Sequence, residues 1–349
     1  MAQVRLADVA KAAGVSSATA SLVLNKADAR ISDETRERVE RVAAEIGYVP
    51  NPIARSLRTQ KTRTIGLVSD RIATTPFAGR MLAGAQEVAR ANGRLVILVD
   101  TDGHQEIESD AIETLVNQRV DGMVYASMYH RVLDAPAGLP AGTVFLDCRP
   151  MAGGYPAVVP DDYAGGRAAV QELVNAGHRR IAFIDTDEER PIAAELRLQG
   201  YRDVLAEAGI DWDADLHISV ATSAAGGRRA AEKLWALGAS RRPTAVFAFN
   251  DRIAAGVYSW AARLGVSIPG ELSVVGYDDQ QLVAAELDPP LTTVGLPHVA
   301  MGQWAMEVAL GLRQASTTEA HLMDCPIVRR ASVAPPAPLG SAPNRGTTL

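Results

Sequence analysis

A chain of 349 residues, 47% hydrophobic and 22% charged, has room for two or three domains. It holds no apolar run near the roughly 18 residues that a membrane-spanning helix needs. Its two cysteines, Cys148 and Cys325, lie far apart and outside any CxxC spacing, which excludes a disulfide framework or a zinc knuckle. The net charge of −6 hides an asymmetry: the first 63 residues hold 11 basic and 7 acidic side chains, the remaining 286 hold 24 and 34. A basic head on an acidic body suits a protein whose head alone meets phosphate.

The chain opens without the apolar core of a signal peptide, so the expected location is the cytoplasm. Leu6, Val9, Ala10 and Ala13 repeat at helical spacing and predict a two-turn amphipathic helix, with Gly14 placed to stop it in a left-handed conformation. Val15 fills the gap before Ser16, a ready N-cap for a second helix from Ser17 to Leu24. That helix would bury Ala20, Val23 and Leu24 and turn Ser17, Ala18, Ser21 and Leu22 outward. Small, uncharged, hydroxyl-bearing residues on an exposed face are odd against solvent and suit a DNA groove. A third helix starts at Ser32-Asp33-Glu34-Thr35 and ends near Gly47, covering the first two with Val39, Val42, Ala43 and Ile46. The alternative is a generic three-helix cluster packed on the body.

Two stretches carry a resemblance. Leu6, Asp8-Val9-Ala10, Ala13-Gly14-Val15-Ser16, Thr19, Ser21 and Leu24-Asn25 resemble the helix-turn-helix signature of the lactose-repressor (LacI/GalR) family. Gly47-Tyr48-Val49-Pro50-Asn51-Pro52, followed by Ala54-Arg55-Ser56-Leu57-Arg58, resembles that family's hinge. With the body, the match spans about residues 4–330. The resemblance implies that the second helix lies in the major groove, with Ser17, Ala18 and Ser21 nearest the bases or phosphates. Ser16, Thr19 and Asn25 would fix its pose, and Leu6, Arg30 and Tyr48 would complete the head's DNA-facing set. Leu22 stands where many members carry Arg, so a bidentate guanine contact is missing and apolar contact with thymine methyls replaces it. The hinge would add Asn51, Ala54, Arg55, Leu57 and Arg58. It is too short to stand alone as a helix. It would fold on DNA beside its twin from a second subunit, with Leu57 as a wedge in the minor groove.

From Thr64 on, short apolar runs alternate with helical stretches. Thr64–Ser69, Arg94–Asp100, Gly122–Ser127 and Thr143–Asp147 form one set, with helices at Met81–Ala91 and Asp110–Gln118 between strands. Arg180–Asp185, Ala245–Asn250 and Leu272–Asp279 form a second. Near-continuous apolar runs read as parallel strands buried on both faces, so the fold class expected is α/β. A helix-turn-helix head would precede a two-lobed, periplasmic-binding-protein-like body of two doubly wound parallel sheets. The expected divisions are a head at 1–50, a hinge and linker at 51–63, an effector-binding body at 64–330 and a disordered tail at 331–349. The first lobe would comprise about 64–160 and 292–320, the second about 161–291 and 321–330.

Ligands of such sheets sit at the carboxyl ends of strands, where this chain places Ser69, Asp100, Ser127, Asp147, Asp185, Asn250-Asp251 and Asp278-Asp279. About half of these should only cap the next helix or turn. The family resemblance implies Arg197, Asn250 and Asp278 as effector-binding residues, with Asp147, Ser69 and Phe77 as further candidates. It also implies a sugar-like effector that releases the protein from a roughly palindromic operator. Purines or nucleosides, acting as corepressors, are the alternative, and Phe77 and Trp212 could stack on them. The Pro-rich end in place of a leucine-rich tetramerising helix points to a homodimer, with contacts centred on the helix at Phe77–Ala91.

An enzyme is not indicated: the chain has no P-loop, GxGxxG after its first strand, HExxH or GxSxG. Asp278-Asp279 could pair as carboxylates, but no positioned acid or nucleophile is readable beside them. No cofactor or metal is expected. His178 should close a helix–strand turn. A free sugar-binding protein would share the body but would carry an export signal and no head.

Overall fold

In the computed structural model, residues 4–24, 30–49, 61–75, 78–187 and 192–337 are described, and the chain divides into two compact units, Met1–Thr62 and Arg63–Leu349. The first unit contains α1 (Leu6–Ala13), α2 (Ser17–Leu24) and α3 (Asp33–Glu45). Gly14, at φ 66°, ends α1 in the left-handed region, where a side chain would be strained. The Asp8 carboxylate accepts the Arg5 N–H at 2.9 Å and closes the start of α1. Ser16 and Ser32 cap α2 and α3 as expected, their hydroxyl oxygens accepting the Thr19 and Thr35 N–H groups. The core is small: Val9, Ala10, Ala13, Ala20, Val23, Val39 and Ala43, with Leu6, Ile46 and Tyr48 packed around it.

The second unit holds two six-stranded sheets. β1 (Thr64–Ser69), β2 (Leu95–Asp100), β3 (Gly122–Leu133), β4 (Val144–Pro150), β5 (Ala157–Pro160) and β11 (His321–Met323) form the first, in the order β11-β5-β4-β3-β1-β2 and wholly parallel. β6 (Ile181–Thr186), β7 (His217–Val220), β8 (Ala245–Ala248), β9 (Ser273–Asp278), β10 (Thr292–Gly295) and β12 (Ile327–Val328) form the second, in the order β12-β10-β9-β8-β6-β7. Only β12 runs antiparallel there. Helices α4 (Gly79–Ala91), α5 (Gln105–Asn117), α6 (Asp162–Asn175), α7 (Ile192–Glu207), α8 (Ala224–Trp235), α9 (Asp251–Leu264) and α10 (His298–Ala309) cover the sheets. Parallel pairing demands such crossovers, and helices on both faces explain why β6 and β9 are buried at every position. The α4–α10 crossing is close: a Cβ on Gly84 would lie 2.0 Å from the Val299 carbonyl oxygen, and one on Gly302 1.9 Å from that of Met81.

Three expectations need correction. Thr292–Gly295 pairs with Val275–Asp278 in the second sheet, and His321–Met323 pairs with Val158–Pro160 in the first. The chain therefore returns to the first lobe after β10, not at 292, and leaves it after β11, not at 320. The apolar run of β2 is only half-buried, and Leu95 is 63% exposed, because β2 is an edge strand. Residues 331–337 are packed on the second sheet: the fully buried Ser332 hydroxyl donates to the Val274 carbonyl at 2.6 Å and accepts the Thr292 N–H at 2.8 Å. His178 does more than close a turn, bonding Thr244 through Nδ1 and the Ala334 carbonyl through Nε2, both at 2.9 Å. Backbone groups satisfied in this way hold a segment whose composition alone reads as a tail. Residues 338–349 lie outside the described residues.

Candidate functional site

In the head, α2 presents Ser17, Ala18 and Leu22 to solvent, with Ser21 half-buried. Ala20 and Val23 are turned into the core. The Ser16 hydroxyl caps the helix and lies 2.9 Å from the Thr19 hydroxyl, which fixes the first turn. Arg30 is exposed at the approach to α3. Tyr48 and Leu6 are half-buried against the core, which limits what either can offer outward. Asn25, Asn51, Ala54, Arg55, Leu57 and Arg58 lie outside the described residues, as does Phe77. α2 carries no charged side chain, so it can read a base edge only by hydroxyls and apolar contact.

In the body, four of the six expected effector residues meet in one cavity between the sheets. Asp147 from β4, Arg197 from α7, Asn250 before α9 and Asp278 at the end of β9 line it, with His130, Tyr129, Met128, Pro160, Ala193, Phe249 and Leu296. The cavity measures about 20 Å³, room for about one water. Arg197 is 4% exposed and heavily bonded. Its Nε donates to Asp162 Oδ1 at 2.8 Å and its Nη1 to the Phe249 carbonyl at 2.7 Å, while Asp278 Oδ1 lies 3.9 Å from Nη1. The Tyr277 ring lies 3.5 Å and the Phe249 ring 4.5 Å from its guanidinium carbon. Stacking between two rings is a geometry that a planar guanidinium allows and a lysine does not.

Charge within this cluster is uneven. Burial pushes Asp278 up to about 6, with Arg197 pulling against it. Burial, and then the neighbouring Asp162, push Asp147 well above the ordinary carboxylate range. For Asp162, burial works in the same direction, but Arg197 and the bond from His130 outweigh it and hold it below its ordinary value. Asp147 and Asp278 both sit at positive φ, 57° and 101°, where a side chain is strained, a cost often found at ligand-binding positions.

Two expected residues are absent from this cavity's lining. The Ser69 hydroxyl accepts the Ile72 N–H at 2.9 Å and closes a turn, outside the cavity lining. Trp212 packs on Tyr201 and His217, 39% exposed, with Arg202 over its ring. Asn250 both caps α9, accepting the Ile253 N–H at 3.0 Å, and lines the cavity. Asp251 is structural, accepting from the Gln280 N–H and the Thr293 hydroxyl.

The sequence reading missed Asp162 and His130. β3 runs on past Ser127, where it was expected to stop, with a register shift between Ala126 and Arg131. A bulge of this kind re-aims side chains, and here it carries Met128, Tyr129 and His130 to the cavity. Asp70 braces the bulge, accepting from the Met128 N–H at 2.9 Å and the Ser127 hydroxyl at 3.1 Å and pairing with Arg131. His130 Nδ1 then reaches Asp162 Oδ2 at 2.8 Å.

Residues 5–51 match the profile of bacterial regulatory proteins of the lacI family, and residues 170–333 match a periplasmic binding protein-like domain. The chain is 34% identical to the ribose operon repressor of Haemophilus influenzae over 310 residues, covering 87% of this chain and 90% of that one. The chain belongs to the LacI family. It is also 33% identical to the repressor PurR of Vibrio vulnificus over 314 residues, covering 87% and 90% of the two chains. The Lac repressor dimer, solved bound to operator and an anti-inducer, matches with a TM-score of 0.74 and 27% identity, over 95% of this chain and all of that one. As a LacI-family member, this protein is a DNA-binding transcription regulator with a small-molecule-binding body, and not an enzyme. Among the described residues, no helix is long and apolar enough to cross a membrane.

Proposed function

We propose that the protein is a cytoplasmic repressor that binds a roughly palindromic operator as a homodimer and leaves it when a sugar enters the cleft. The observation that carries the effector reading is the convergence of Arg197, Asp147, Asn250 and Asp278 on one cavity. These groups offer donors and acceptors in several directions above aromatic faces, the combination that a hydroxyl-rich ring requires. Similarity to ribose operon repressors favours a pentose or hexose. A cavity of about 20 Å³ is smaller than any sugar ring, so binding has to part or rotate the two lobes. That rearrangement is the differential contact by which a ligand can shift a two-state equilibrium. In the head, Ser17, Ala18, Ser21 and Leu22 face the bases, with Arg30 and Tyr48 at phosphates. In the hinge, residues 51–58 pair with those of the second subunit, and Leu57 wedges the minor groove. One side of α4 is spent on α10; its remaining surface is the proposed start of the dimer contact.

A second reading is a purine corepressor, favoured by the similarity to PurR and by Tyr129 and Phe249 in the cavity wall. DNA selected by the protein from a random library, then titrated by fluorescence anisotropy, separates the two. Under the first reading D-ribose or a related sugar weakens binding and adenine or hypoxanthine does nothing. Tighter binding with a purine supports the second reading, and an affinity that no sugar alters sinks the first.

A further inference from the structure

We infer that His130, held by Asp162, is a ligand-contact residue of the cleft that reads a hydroxyl of an uncharged polyol; this rests on the sugar reading above. Two side-chain atoms at the cavity are buried and lack a hydrogen-bond partner: His130 Nε2 and Asp147 Oδ1. The two residues are 5% and 3% exposed. Buried polar atoms are nearly always paired, because leaving one unpaired forfeits its full desolvation energy. Two unpaired atoms on one small cavity, from different strands, point to a ligand that pairs them both.

The chemistry of that ligand follows from their surroundings. Asp162 is fully buried and held as a carboxylate by Arg197, so it can only accept. The 2.8 Å bond to Asp162 Oδ2 therefore puts the proton on His130 Nδ1. With Nδ1 donating to Asp162, Nε2 accepts in a neutral ring and donates in a protonated one, and a hydroxyl can pair it either way. Asp147 needs a partner that can give or take a proton bond, and again a hydroxyl does both. An anion is disfavoured. Arg197 is the one guanidinium or ammonium group among the described residues lining the cavity. Its Nε and Nη2 are committed to Asp162 and its Nη1 to the Phe249 carbonyl. A phosphate or carboxylate entering here would lie beside the buried Asp278 and would meet an Arg197 whose charge Asp162 already balances.

The test uses the full chain and isothermal titration with D-ribose, D-xylose, D-glucose and D-galactose, the 5- or 6-phosphate of each, and adenine. His130→Asn keeps a donor at the place of Nδ1 for Asp162 and deletes the atom that faces the cavity. It is expected to weaken the sugar that wild type binds by about tenfold, the loss of one buried hydrogen bond. His130→Gln, whose amide reaches the place of Nε2, should recover most of that loss. The phosphorylated form should bind wild type at least about tenfold more weakly than its parent. One singly deoxygenated analogue should lose affinity for wild type and lose nothing further for His130→Asn, a coupling that a purely structural histidine does not produce. Unchanged sugar affinity in His130→Asn overturns the contact and leaves the sugar reading standing. Tighter binding of the phosphate overturns the uncharged class. Adenine binding with every sugar silent overturns the sugar reading itself, and the polyol with it.

Discussion

The head and the body solve opposite problems. The head has a core of small residues, three valines and four alanines, and does its work with what it leaves outside: the short, uncharged side chains of α2. The body's cores add large side chains to the alanines and valines, Phe183, Tyr201, Phe247 and Tyr277 in one and Met81, Met301 and Trp304 in another. It does its work with polar groups held inside, Arg197 against Asp162 and Asp278. DNA supplies its own dense charge and regular grooves, so a reader needs only a pre-shaped surface and can keep its polar groups in water. A small ligand supplies little, so its site has to be dry enough for each hydrogen bond to count and has to hold polar groups in readiness. The head's function therefore costs the fold little. The body's function stands on strained and desolvated groups.

Substitution can break that contrast, and the largest effect is expected at Arg197. Arg197→Ala leaves Asp162 and Asp278 without their cation in a buried site, which should cost about 3–5 kcal/mol and remove ligand binding. All four tryptophans, Trp212, Trp235, Trp260 and Trp304, lie in the body, so the fall should appear as an earlier denaturant midpoint in tryptophan fluorescence. An unchanged midpoint would show that the cluster carries no stability.

Asp278 should give a smaller effect with a definite sign. Its folded value of about 6 lies above the ordinary one, so between about pH 4 and 6 the folded state binds more protons than the unfolded state. Stability from this group is full below that window and falls as pH rises through it, by roughly 1–3 kcal/mol for a shift of this size. Asp278→Asn should flatten that part of the stability–pH curve of the body. A curve that keeps its slope in Asp278→Asn assigns the slope to another acid.

In the head, Ser16→Ala removes the cap of α2 and should cost about 1 kcal/mol. The loss should be seen in helical circular dichroism with no change in tryptophan fluorescence. If both signals shift together, the two units do not unfold independently. The smallest stability effect is expected at Leu22, which is 36% exposed. Leu22→Ala should change stability by less than about 0.5 kcal/mol. It should nonetheless shift the preferred operator bases in a selection experiment, and an unaltered preference would remove Leu22 from the reading surface.

Much of this was legible because it is local. The head's helices follow from apolar spacing, from Gly14 as a stop and from Ser16 and Ser32 as caps, all read within a few residues. The strands of the body were readable because a parallel strand covered on both faces has to be apolar along its length. The site was legible in part: Arg197, Asn250, Asp147 and Asp278 were anticipated from resemblance and from strand ends, and they do line one cavity. Ser69 and Trp212 were anticipated too, and neither is among the residues lining that cavity.

What sequence alone determined, then, is whatever neighbours along the chain decide: the helix caps, the alternation of strands and helices, the two-unit plan and the family signature. What only the tertiary structure decided is whatever rests on partners far apart in the chain. The edge position of β2, the placement of β10 in the second sheet and the packing of residues 331–337 are set by pairing that no local pattern encodes. The pairing of His130 with Asp162 is of the same kind. It depends on a bulge in β3 and on Arg197 from α7, and a histidine between Tyr129 and Arg131 gives no local sign of either. The physical reason is one of range. Backbone propensity and capping act over one or two turns, whereas a buried charge is tolerable only where distant segments bring it a partner.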